Sequence, residues 1–128
     1  AMSRLPEADP ADGQLLRPLV PGKGAHNLLP SPDRPLLWVN NRVDSPTESL
    51  HADSLTPIRT YKIPGGPDDM AFAPDGKLWI TRRWAEKVAV LDPATGDFQT
   101  IDVGRSPHGI FLNDAARSTT KVALAPVR

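Results

Sequence analysis

The sequence predicts an all-β chain built from four-stranded antiparallel units. Three observations predict it. Fifteen prolines in 128 residues exclude long helices, because a proline inside a helix costs about 3 kcal/mol. Short alternating apolar runs are separated by Pro/Asp/Gly turns, as half-buried strands are. The pattern also repeats: Pro32-Asp33 and Pro74-Asp75 stand 42 residues apart, and His26, Asp68 and His108 fall at spacings of 42 and 40. A period near 40 residues carrying four strands is a β-propeller blade rather than a solenoid coil.

The second copy is the clearest. "DMAFA" (69–73) alternates Met70 and Phe72, "PDGK" (74–77) is a turn in which Gly76 is free to take positive φ, and "LWIT" (78–81) is rich in β-formers. "KVAVLD" (87–92) is the third strand, "PATGD" (93–97) a turn, and "FQTIDV" (98–103) the fourth strand. The first copy follows with "NLL" (27–29), the turn 30–35, "LLWVNN" (36–41) and "LTPIRTYKI" (55–63). Its third strand departs from the pattern: Ser49 and His51 stand where Val88 and Val90 do, and Pro46 precedes them. An irregular, weakly packed strand is expected there, since proline keeps to edges and bulges.

The ends supply parts of a third unit. "DPADGQLLRPLVPG" (9–22) matches "DPATGDFQTIDVG" (92–104), which makes 9–21 a fourth strand. "HGIFLN" (108–113) reads as a first strand and "TTKVAL" (119–124) as a second. The expected plan is a disordered or tag-derived 1–8, a fourth strand of a shared blade at 9–21, full blades at 22–64 and 65–103, the first two strands of the shared blade at 104–125, and a tail at 126–128. One strand of the shared blade is left unaccounted for. Ala1-Met2 reads as a cloning scar.

The net charge is zero, 15 basic against 15 acidic side chains, and no basic stripe stands out. A nucleic-acid surface is therefore not expected. No cysteine is present, which excludes disulfides and thiolate ligands. No run of 18 apolar residues spans a membrane. Serine-triad order, phosphate-cradling loops and metalloprotease motifs are absent.

Three features carry candidate chemistry. His26, Asp68 and His108 occupy one place in three successive copies, where the innermost strand begins near a channel mouth. Imidazole and carboxylate suit a divalent metal or a small polar ligand; the alternative is a polar group that fastens one blade to the next. Arg42, Arg82 and Arg83 follow the second strands and could form an anion-binding rim, or simply be solvated turn charges. Trp84 follows two arginines without a counterpart in the first copy, and is a candidate contact residue. Trp38 and Trp79 align as blade-packing residues, His51 is expected to be exposed, and Asp33 and Asp75 serve turns. Asp68 and Asp69 are neighbours on a strand and face opposite ways, which argues against a paired-carboxylate site.

The blade opening Gly-x-x-Pro-[His/Asp], the turn Pro-Asp-Gly-Lys, the second-strand pattern in "LWIT" and the Asp-Pro-Ala-Thr-Gly before the fourth strand resemble the YVTN-type β-propeller repeat family, close to NHL-like and streptogramin-lyase-like propellers. The resemblance covers about residues 9–113. It implies a propeller and says little about function, because propellers host enzymes, redox-associated subunits and binding modules alike. The lyase branch uses a catalytic histidine and a metal; its residues do not map one by one onto this chain, so none is carried over. Family habit favours a periplasmic or secreted protein. Propellers have four to eight blades, so a chain with fewer than three is expected to assemble, as a dimer or trimer closing a ring, or to be part of a longer chain. The expected function is a binding or scaffold module with a ligand or protein partner at the channel mouth. The alternative is an enzyme or redox-associated propeller using a divalent metal on the His/Asp ring.

Overall fold

The computed structural model describes residues 5–12, 15–19 and 25–113. All regular structure there is β. A hairpin of β1 (Leu5–Ala8) and β2 (Leu15–Leu19) is followed by a four-stranded sheet of β3 (Ala25–Pro30), β4 (Leu36–Asn41), β5 (Pro46–His51) and β6 (Pro57–Lys62). A second four-stranded sheet contains β7 (Pro67–Phe72), β8 (Leu78–Arg82), β9 (Lys87–Leu91) and β10 (Phe98–Asp102). Both sheets are antiparallel in chain order, and each is one propeller blade.

Turn chemistry makes the hairpins. Gly76 has φ 85°, a conformation open to a residue without a β-carbon. Its N–H donates to Ala73 O at 3.0 Å, and the Asp75 carboxylate accepts from Lys77 N at 3.0 Å. The turn after β9 repeats the device: Gly96 has φ 81°, and Asp92 Oδ1 accepts from Ala94 N at 3.0 Å.

Apolar side chains of the two blades meet in one core. Trp38, Tyr61 and Ile63 of the first blade pack with Met70, Leu78, Ile80, Ala89 and Leu91 of the second. Trp38 stacks on Tyr61 with ring centroids 5.4 Å apart and meets the edge of Phe72 at 5.9 Å. β6 is a mostly exposed edge strand, yet it latches onto the next blade. Tyr61 Oη donates to Pro93 O at 2.9 Å, and the Arg59 guanidinium donates to the carbonyls of Pro93, Ala94 and Thr95. Trp79 keeps the register of Trp38 but is only half-buried.

Four expectations need correction. β5 is a paired strand with Thr47, Ser49 and Leu50 buried, not a loose one. Pro46 is tolerated as its first residue, and the irregularity is confined to a register shift at Ser49/Leu50. Residues 5–8 are not disordered: Leu5–Ala8 pairs with β2, and Ala8 faces Leu15 as Leu91 faces Phe98. Since 9–22 matches 92–104, β1 stands beside β2 in the register that β9 has beside β10. The third correction concerns residues 108–113, which are described but form no strand. They lack a partner second strand among the described residues, and the proposed second strand 119–124 lies outside them. Finally, β2 is shorter than 9–21, because 10–12 belong to the turn.

Replacing Trp38 with Ala should cost about 3–5 kcal/mol, against within about 0.5 kcal/mol for exposed His51→Ala. Urea unfolding checks this. Equal losses would contradict the placement of Trp38 between the blades.

Candidate functional site: a buried carboxylate ringed by cations

β-Bulges build the site. The register shifts between Ala25 and Asn27 where β3 meets β4, and between Pro67 and Met70 where β7 meets β8. The same irregularity therefore falls on the same place of both copies, and His26 and Asp68 sit inside it. A bulge re-aims its side chain, and here it turns both groups toward a common point. His108 comes to that point from the third copy. His26, Asp68 and His108 offer ligand atoms that all lie within 4.8 Å of one another.

Asp68 is fully buried and its two oxygens are crowded with cations and donors. Oδ1 pairs with His26 Nε2 and lies 2.9 Å from Arg42 Nη2. Oδ2 lies 2.9 Å from His108 Nδ1 and 3.6 Å from Arg83 Nη1. Arg42 also contacts His26 Nε2 directly. A carboxylate has about four lone-pair sites, so these four groups saturate it. Burial alone pushes the Asp68 carboxyl upward. Hydrogen bonds from Arg42 and His108, with the charges of His26 and Arg42, outweigh it and hold the group below the usual carboxylate range.

A backbone lattice fixes the point in space. Asn40 Nδ2 donates to Asp68 O at 3.1 Å, and Thr47 Oγ1 holds the Asn40 carboxamide at 2.6 Å. One copy later Thr81 Oγ1 donates to His108 O at 2.9 Å. Asn40 and Thr81 end the second strands 41 residues apart, so the bond from one blade to the start of the next recurs. Asp69 supplies a parallel tie. Its carboxylate accepts from Asn27 Nδ2 at 2.6 Å and from Ile110 N at 3.0 Å, which joins all three copies. It serves a different network from Asp68, as strand alternation requires.

The remaining candidates separate. Arg42 and Arg83 belong to the cluster. Arg82 does not: it is 8% exposed, donates from Nε to Pro64 O at 2.6 Å and from Nη1 to Thr100 Oγ1 at 3.4 Å, and lies 5.5 Å from the Phe98 ring centroid. It packs blade two, and burial lowers its pKa from the ordinary arginine value. The sequence does not distinguish it from Arg83 by type; strand alternation does, since β8 ends at Arg82. Trp84 is 59% exposed and stands in the turn beyond Arg83. A groove of about 720 Å³ also opens between the blades, at the opposite end near Ser31, Asp75 and Asp92, far from this chemistry.

Sequence reasoning overlooked Asn27, Asn40 and Thr81, and gave Asp69 no role of its own. Their signal was available in the shared polar end of the second strand and in the 42-residue spacing of Asn27 and Asp69.

The lowered Asp68 pKa has a defined sign in stability. A carboxylate whose folded pKa lies below its unfolded value of about 3.9 contributes stability that is present above that value and lost as pH falls through the folded pKa. Asp68→Asn should cost about 3 kcal/mol at neutral pH, because Arg42 is left beside a neutral amide. It should also flatten the acid loss of stability below about pH 4. Urea melts from pH 2 to 7 check both; a neutral Asp68→Asn would contradict the carboxylate's role.

The comparisons with known proteins match the fold. No curated protein matches the chain by sequence. Among solved structures, virginiamycin B lyase from Staphylococcus aureus is similar at 20% identity with a TM-score of 0.67, over 82% of this chain and 37% of that one. Periplasmic gluconolactonase from Pseudomonas aeruginosa is similar at 27% identity and TM-score 0.59, over 80% of this chain and 34% of that one. Hydrazine synthase from Kuenenia stuttgartiensis is similar at 23% identity and TM-score 0.61, over 66% and 24%. The chain thus spans 24% to 37% of the length of these propeller relatives. A family model matches residues 10–118, and the chain belongs to the YNCE-like β-propeller family.

Proposed function

We propose that this chain is a β-propeller binding module that holds a carboxylate or phosphate group at the channel mouth, on Arg42, Arg83, His26 and His108 around Asp68. One observation carries the reading. The buried carboxylate is outnumbered: the two guanidinium groups of Arg42 and Arg83 face the one carboxylate of Asp68. Arg42 Nε is in addition buried without an acceptor. His108 is 61% exposed and Arg83 38%, which leaves them accessible to an incoming anion. Guanidinium donors suit carboxylates and phosphates.

A divalent metal on His26, Asp68 and His108 is the competing occupant. The three residues are close enough, but Arg42 already holds Asp68 Oδ1 and His26 Nε2. An arginine cannot discharge to make room, and like charges repel at these distances. Calorimetric titration separates the two. Acetate or inorganic phosphate should bind, at least about tenfold more weakly to Arg83→Ala, with zinc heats no stronger than millimolar affinity. Zinc binding that disappears in His26→Ala/His108→Ala, with no anion heat, would overturn the reading.

A second reading is an enzyme with lyase- or lactonase-like chemistry. His108 Nδ1 is oriented by Asp68 Oδ2 at 2.9 Å, the arrangement that readies the other ring nitrogen for general-base work. Turnover of gluconolactone or virginiamycin B, lost in His108→Ala, would support it over the module.

We also propose that blades are shared between chains. β1–β2 carries third- and fourth-strand register, while 108–113 is bonded to β7 and β8 in the first-strand place. Sheet edges template pairing, and two or three chains exchanging these pieces would close a ring of about six blades. Light scattering should give a dimer or trimer at micromolar concentration; a well-folded monomer would contradict this.

A further inference from the structure

We infer that the anion held at the cluster carries a flat, aromatic ring, which stacks on the exposed indole of Trp84. This rests on the anion-binding reading and names the ligand's class: a small aromatic carboxylate or phosphate.

Trp84 is exposed yet tightly placed. Its N–H donates to Gly65 O at 2.9 Å, Arg83 N donates to Gly66 O at 2.9 Å, and Ala85 N donates to Arg82 O at 3.1 Å. The turn carrying the indole is therefore stitched to the link that leads into β7. The indole lies on the backbone of Gly66: a β-carbon there would stand 2.6 Å from Trp84 Cδ2. Gly66 also has φ 72°. Both facts require glycine, and the missing side chain is what lets the ring lie down. Rigid placement matters, because an aromatic side chain fixed in advance gives contact area at little entropic cost.

The turn that carries the platform adjoins the strand start that carries Asp68. Gly66 and Asp68 are two residues apart, so their α-carbons are separated by at most about 7.6 Å. Arg83, the residue before Trp84, reaches Asp68 Oδ2 at 3.6 Å. The β8–β9 turn and the start of β7 lie at the same end of the blade, because β7 runs away from that end and β8 returns to it. An indole next to a guanidinium pair spans about one ring plus one acid group. Indole and arginine next to each other are also the residue types that dominate binding energy at contact sites. Among the described residues Trp84 remains 59% exposed.

The probes are benzoate, cyclohexanecarboxylate and acetate, titrated by calorimetry into the intact chain. Cyclohexanecarboxylate matches benzoate in size and charge but has no π-face. Benzoate should bind about five- to tenfold more tightly than cyclohexanecarboxylate, the scale of an aromatic pair. Trp84→Ala should abolish that preference and leave acetate affinity unchanged, while Trp84→Phe restores it. Tryptophan emission should shift on benzoate addition in the wild type and not in Trp84→Ala. If no carboxylate binds, the anion-binding reading itself fails. If all three bind alike and Trp84→Ala changes nothing, the anion site stands and the aromatic inference is overturned. Loss of self-association in Trp84→Ala, with the benzoate preference intact, would place the indole against a second copy and equally overturn it.

Discussion

The ion pair between Asp68 and Arg42 is the constraint on which the site and the joint between the blades both depend. Burying a carboxylate is expensive unless it is paired and fully hydrogen-bonded. Here the partners come from three copies of the repeat: His26 and Arg42 from the first blade, Arg83 from the second and His108 from the third. One charge therefore makes three blades mutually necessary. The same arrangement sets two guanidinium groups beside one carboxylate.

The rest of the molecule holds that point still. The aromatic core of Trp38, Tyr61 and Phe72 sets the spacing between the blades, and the Arg59 and Tyr61 contacts to the 93–95 turn pin their far ends together. At the near end, Asn40 and Thr81 each bind the carbonyl with which the next copy begins. These interactions are individually worth only about 1 kcal/mol. Their value lies in repetition: each blade receives the same tie from the one before it, and the ring of polar groups is a by-product of that regularity.

Much of this was legible in the sequence. The 40-residue period, the Pro-Asp-Gly turns and the register of His26, Asp68 and His108 could be read directly, since turns and alternation are local signals. What could not be read was the outcome of competition between groups. Arg82 and Arg83 are the same residue type, and only the end of β8 decides that one is packed under Thr100 and the other reaches Asp68. The bulges that aim His26 and Asp68 leave no mark in an alternation pattern. β5 looked weak because Ser49 and Pro46 are poor apolar strand residues, yet its neighbours on both sides supply the pairing. Residues 108–113 looked like a strand because their side chains alternate, but alternation without a second strand beside it gives no ladder.

The most direct test is a double-mutant cycle between Asp68 and Arg42, using Asp68→Ala, Arg42→Ala and the double variant in equilibrium urea unfolding at neutral pH. Exposed ion pairs couple by about 0.2–1 kcal/mol. A buried carboxylate that organises three copies predicts a coupling of at least about 1.5 kcal/mol, with the double variant less damaged than the two single losses added together. Additive losses, with coupling near zero, would contradict the account and reduce Asp68 to one polar group among many.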